Sequence, residues 1–221
     1  FKAQRMHAWL AEHRPGVHWW CPQLPPSPRE AMALLRGGIA DWPAQGSAVM
    51  GSSLGGFYAT AVAEETGWRA MLLNPAVDPA RDLAQYIGEQ TSFHDPQERF
   101  FMRPEFIDEL RALKVGTIRQ PDHYAAVLAK GDEVLSWQEM TARYRGAKSK
   151  LLEGGDHGHA TDELGDEPEL REVFGLDLRE QLVLAELALV LRLGPEPDGL
   201  LPEAALDDLL EADEGAAADE Q

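Results

Sequence analysis

Apolar residues along this chain fall into short runs closed by Gly- and acid-rich turns, and stretches of helical spacing lie between the runs. Phe1, Met6, Trp9 and Leu10 recur at helical spacing with charged residues between them, which predicts an opening helix stopped by Pro15-Gly16. "VHWWCPQL" predicts a short buried strand closed by "PPSP". Residues 28–37 predict a second helix, N-capped by Ser27 with Arg29-Glu30 in its first turn. "GSAVMGSS" is a small-and-apolar strand, and "LGGFYATAVAEETG" turns helical and ends at Gly67 as C-cap. "RAMLLNPA", "HYAAVLAKGDEVL" and "KSKLLEGGDH" repeat the design, an apolar run that leads into a polar turn. Strands alternating with helical segments imply crossovers, hence an α/β fold with a mostly parallel sheet flanked by helices.

Two regions break the rhythm. Residues 78–118 form a long connection with helical pattern in "DLAQYIGE" and "PEFIDELRALK" and with Phe93, Phe100, Phe101 and Phe106. It reads equally as a cap over a site or as a longer crossover. From residue 194 the composition turns to Pro and Gly, then to Ala, Asp and Glu, which predicts a domain over 1–193 followed by a disordered acidic tail over 194–221.

Charge sharpens this division. The net charge is −18. Beyond Arg192 there is no Lys or Arg and ten acids follow, so the tail carries −10 and residues 1–192 carry −8. An acidic body repels phosphate backbones, which argues against nucleic acid as a partner. No run of eighteen apolar residues occurs, so no membrane span is expected. The N-terminal stretch lacks the apolar core and cleavage site of a signal peptide, and the single cysteine, Cys21, suits a reducing cytoplasm.

Three loops that leave predicted strands carry catalytic residue types, and ligands of open α/β sheets sit beyond such strand ends. The first, Gly51-Ser52-Ser53-Leu54-Gly55, matches Gly-x-Ser-x-Gly. On composition alone this pattern arises in roughly one chain in fifteen of this length. Between strand and helix, flanking glycines (Gly51, Gly55) let backbones pass while the turn lifts the Ser53 hydroxyl out of the sheet. The Leu54 N–H would then face a developing oxyanion at the helix's positive end. The second loop places Asp132 directly after a buried strand, where a carboxylate can hold an imidazole. The third places His157 where it can act as general base. The order Ser…Asp…His is the one α/β-hydrolases use.

Each residue has a plainer role open to it. Ser53 could be a helix N-cap and Asp132 a turn former. His159 and His123 compete with His157, and Asp156 or Glu133 could replace Asp132. "GSSLGG" lacks the Lys-Ser/Thr of a phosphate-binding P-loop. His157-x-His159-x-x-Asp162 is offset from a metallo-hydrolase ligand run, so no metal is expected.

"FKAQRM", "CPQLPPSP", "GSSLGGFYAT", "LLNPAV", "GDEVL" and "EGGDH" follow one another as in the small bacterial YqiA-type esterases, an α/β-hydrolase family that this chain resembles over residues 1 to about 158. The resemblance implies hydrolysis of a small-molecule carboxylic ester or thioester through an acyl-serine, without cofactor. Ser53 would be the nucleophile, Asp132 the acid and His157 the base. Members of that family begin earlier, with a strand and a His-Gly loop; Phe1 stands already inside the following helix, so a first strand and a second oxyanion donor are expected to be missing. A non-catalytic or impaired α/β-hydrolase-like protein is the alternative that this departure implies. The family closes with a short aromatic-containing helix, whereas this chain runs into "LREQLVLAELALVLRL", expected either to serve as the closing helix over the sheet or to be sequence foreign to the family.

Overall fold

A computed structural model describes residues 7–8, 11–12, 16–91, 99–155, 157 and 187–192. Of the opening helix, residues 7, 8, 11 and 12 are helical; the acidic tail lies outside the described residues. The elements are β1 (His18–Trp20), α1 (Pro28–Gly38), β2 (Ser47–Ser53), α2 (Leu54–Thr66), β3 (Arg69–Pro75), α3 (Pro79–Asp82), β4 (Gly88–Thr91), β5 (Arg99–Met102), α4 (Pro104–Leu113), β6 (Tyr124–Ala129), α5 (Trp137–Arg143), β7 (Lys148–Leu152) and β8 (Leu187–Arg192). Short 3-10 turns at Ala84–Tyr86 and Pro121–His123 link some of them.

The main sheet runs β1-β8-β2-β3-β6-β7. β2, β3, β6 and β7 pair in parallel, as helical crossovers require. β8 is antiparallel to both neighbours, β1 and β2, and fills the place between them. The expected closing helix is therefore corrected over residues 187–192: this part of the Leu-rich stretch is a strand inside the sheet. An unbroken apolar run has no period that separates strand from helix. What decides it is a row of six register partners on β2, from Ser52↔Leu187 to Ser47↔Arg192.

Helix α2 covers the middle of the sheet, packing on β2, β3 and β8. Residues 55–64 are all buried, and Gly56 lies so close to β3 that an added Cβ would sit 2.6 Å from Pro75 Cβ. Helix α1 is amphipathic instead: Ala31, Met32 and Leu35 enter the core, and the Ser27 hydroxyl accepts the Glu30 N–H at 3.3 Å. Gly67 closes α2 in the left-handed conformation at φ 76. Buried Glu64 accepts hydrogen bonds from Tyr124 Oη (2.8 Å) and Arg119 Nε (2.8 Å). Burial alone would push its carboxyl up, but these donors outweigh burial and hold it below the usual range.

The excursion after β3 differs from the pattern reading at one end. "DLAQYIGE" is a 3-10 turn followed by β4, which pairs with β5 as an antiparallel hairpin, so its predicted helix is absent. "PEFIDELRALK" is helical as α4, whose Phe106, Ile107 and Leu110 are buried and which packs on α1 and α3. Phe101 on the hairpin is exposed, and Phe93 lies outside the described residues. No helix among the described residues is long and apolar enough to cross a membrane.

Candidate active site

Ser53 ends β2 and precedes α2 with φ 54 and ψ −124, a conformation that non-glycine residues rarely adopt. Such a backbone costs about 1–3 kcal/mol and persists only where the surroundings enforce it. Here the enforcement is visible. The Ser53 carbonyl accepts the Ala76 N–H at 2.9 Å, and the β2–β3 register shifts between Ser52 and Ser53. Asn74, inside that irregularity, has φ 40, and its buried side chain accepts the Ala129 N–H at 2.8 Å, tying β3 to the end of β6. Gly51 is obligatory in this turn because its Cβ would lie 2.2 Å from the Gly55 carbonyl oxygen. The second position that tolerates no side chain is Gly56, against Pro75. Ser52 is buried, whereas Ser53 is half-buried.

Asp132 sits in the turn after β6 and His157 in the loop after β7. Their backbones meet at two glycines: a Cβ on Gly131 would fall 2.4 Å from the Gly155 carbonyl oxygen. The Lys130 N–H also donates to Leu152 O at 3.0 Å. This close approach brings Asp132 Oδ2 to 2.8 Å from His157 Nδ1 and His157 Nε2 to 3.1 Å from Ser53 Oγ. An ionised carboxylate only accepts, so Nδ1 carries the proton and Nε2 is left to accept from the serine hydroxyl. Asp132 Oδ1 is engaged by the Val134 and Leu135 N–H groups at 2.9 and 2.7 Å, and the Asp132 side chain is fully buried. Leu54 begins α2, where the first N–H groups of a helix have no partner within it.

The structure thus brings Ser53, His157 and Asp132 into one hydrogen-bonded row, with Leu54 and Gly51 beside it and Gly55 in the first turn of α2. Two of the competing residues lie elsewhere or do other work. His123 stands before β6, at the other end of the strand from Asp132, with Nδ1 3.0 Å from Gly67 O. Glu133 does not meet the imidazole through Nδ1; its Oε2 accepts the His157 main-chain N–H at 2.8 Å. His159, Asp156 and Asp162 lie outside the described residues. Among the described residues no group of three or more His, Cys, Asp or Glu could hold a metal ion.

The model of the family described as "Uncharacterised protein family (UPF0227)" matches residues 1–166. Among solved structures, the chain is similar to "Putative hydrolase from Agrobacterium vitis S4", with a TM-score of 0.51 and 17% identity over 77% of this chain and 78% of that one. It is also similar to alpha/beta hydrolase domain-containing protein 10 from mouse, with a TM-score of 0.49 and 15% identity over 67% of each chain. At 17% identity the first of these likenesses speaks to fold alone, and a mostly parallel sheet flanked by helices agrees with it.

Proposed function

The chain belongs to UPF0227, the YqiA-like family, and from this premise and the row Ser53–His157–Asp132 we propose that it is a serine hydrolase that cleaves small carboxylic esters. The single observation that carries the reading is the continuous contact from Asp132 Oδ2 through the imidazole to Ser53 Oγ, at the end of a strained strand-to-helix turn.

The chemistry follows from the protonation pattern. His157 Nε2 takes the Ser53 hydroxyl proton as Oγ attacks the ester carbonyl carbon. The negative charge that develops on the carbonyl oxygen faces the Leu54 N–H at the positive end of α2. The C–O bond then breaks, the imidazolium returns the proton to the departing alkoxide, and an acyl-serine remains. Water, deprotonated by His157, attacks that acyl carbon, and the serine leaves with its proton restored. Asp132 stays ionised throughout and stabilises the imidazolium. The steps call on no cofactor.

A thioester with a polyanionic carrier would need free cations at the loops. Among the described residues, two cations of the excursion, Arg81 and Lys114, are spent on acids. Arg81 donates to both oxygens of Glu139, at 2.9 and 2.7 Å, and to Asp82 at 2.7 Å, and Lys114 donates to Asp78 at 2.5 Å. This favours an uncharged ester over an acyl carrier bearing phosphates.

Intact mass after incubation with a fluorophosphonate tests the reading. One adduct on the wild type, lost in Ser53→Ala, is expected, together with turnover of a short-chain nitrophenyl ester. Retained ester hydrolysis in Ser53→Ala would sink it. A folded wild type that takes no adduct would point to a non-catalytic member of the fold.

A further inference from the structure

The loop after β6 holds His157 at two points. Asp132 takes the ring at Nδ1, and the adjacent Glu133 takes the main chain, its Oε2 accepting the His157 N–H at 2.8 Å. Neighbouring side chains on a strand point to opposite faces, but Asp132 and Glu133 stand beyond the end of β6, in a turn, and both reach the same residue. We infer that Glu133 is a positioning residue for His157, a carboxylate that fixes the histidine's main chain so that its ring spans Asp132 and Ser53. The inference rests on the serine-hydrolase reading.

The need for such a hold lies in the local sequence. His157 stands five residues beyond Leu152, where β7 ends. The intervening Gly154-Gly155 includes a left-handed glycine at φ 81, and glycine gives up more backbone freedom on ordering than any other residue. A single contact at Nδ1 leaves the ring free to swing about that hydrogen bond while the Cα drifts. A second contact at the main-chain N–H fixes the other end of the residue, and the two together determine where Nε2 points. The frame behind them is itself tied down, because Asp132 Oδ1 is engaged by Val134 and Leu135. Glu133 is exposed, so its removal opens no cavity in the core.

Glu133→Ala and Glu133→Gln test the assignment, read by kcat and KM on a short-chain nitrophenyl ester. The low-field NMR signal of the His157 Nδ1 proton, identified by its loss in Asp132→Asn, gives a readout independent of turnover. Misplacing a catalytic group by an ångström costs up to about 10²-fold, so Glu133→Ala is expected to lower kcat by about 10- to 100-fold with KM nearly unchanged. Its Nδ1 signal should broaden while the melting temperature stays near that of the wild type. Glu133→Gln keeps an oxygen that accepts the same N–H and should restore kcat and the sharp signal. Three results would overturn the inference: wild-type kcat with a sharp signal in Glu133→Ala, a Gln variant as impaired as the Ala variant, or a rise in KM alone. A wild type inert to fluorophosphonate whose sharp Nδ1 signal is lost in Glu133→Ala and kept in Glu133→Gln would overturn the hydrolase reading and leave the positioning role standing.

Discussion

Replacing Gly131 by alanine tests whether two loops must touch for the site to form. The added Cβ would lie 2.4 Å from Gly155 O and 3.2 Å from Gly155 C, whereas ordinary contact begins at 3.4 Å. Both obstructing atoms are main chain, so no side chain can rotate out of the way. The Gly155 carbonyl must therefore retreat by about 1 Å, and His157 follows two residues later. Of the imidazole's two contacts, the one to Ser53 is already 3.1 Å long, and hydrogen bonds fail by roughly 3.6 Å. An ångström of displacement breaks the row and should lower kcat roughly 10²-fold. Overpacking of this kind costs about 1–3 kcal/mol, a fall of roughly 2–12 °C in Tm for a chain of this size, so the variant should remain folded. The assay is kcat on a short-chain ester, the second-order rate of fluorophosphonate labelling, and a melting curve. Gly116→Ala is the control, because a Cβ there meets nothing within 4 Å. A folded Gly131→Ala variant that labels and turns over at the wild-type rate would refute the idea that this backbone contact sets the Asp132–His157 distance.

Ser53→Gly should abolish labelling yet raise Tm, because glycine adopts φ 54 freely and releases part of the about 1–3 kcal/mol held in the turn; an unchanged or lower Tm would count against strain at this position. Asp132→Asn should keep the fold and lower kcat by on the order of 10³–10⁴-fold, since an amide that donates to Nδ1 favours the wrong tautomer; a loss under tenfold would remove Asp132 from its role. Glu64→Gln should cost about 1–2 kcal/mol at pH 7 in a denaturant titration and flatten the acid-side decline. The Glu64 carboxyl is held low in the folded protein, so its stabilisation is complete above the unfolded value and drains away as pH falls through the folded one. Equal acid-side slopes in wild type and variant would contradict this.

Much of the candidate site was legible because each of its residues follows a short apolar run. A strand must end before a polar turn, so "SAVMGSS", "YAAVLA" and "KSKLL" told where Ser53, Asp132 and His157 would project, and the parallel sheet brings those ends together. What stayed illegible depends on contacts between distant segments. "LALVLR" is a strand because β2 offers it a row of partners, a fact absent from its own composition. "DLAQYIGE" has helical spacing, but its Gly88 stands at φ 125 and opens a hairpin with Arg99–Met102, a partner outside the segment itself. Glu133 shows the same limit at the scale of one residue. Beside Asp132 it reads as a competing acid, since sequence records a carboxylate but not which atom it faces.

That distinction has a chemical consequence. If Glu133 faced Nδ1, two carboxylates would compete for one proton, and the pair would repel each other in the turn. Directed at the main-chain N–H instead, Glu133 adds negative charge near an imidazole that would become positive in the proposed reaction, without competing for its ring proton. One short turn thus places two acids on a single histidine by giving each a different atom, while Val134 and Leu135 hold the free oxygen of the first. Both oxygens of the buried Asp132 side chain are thereby hydrogen-bonded, as a fully desolvated carboxyl group requires. Four consecutive residues, Asp132 to Leu135, supply these contacts, so changes to the two acids should act on the histidine first and on the rest of the fold last.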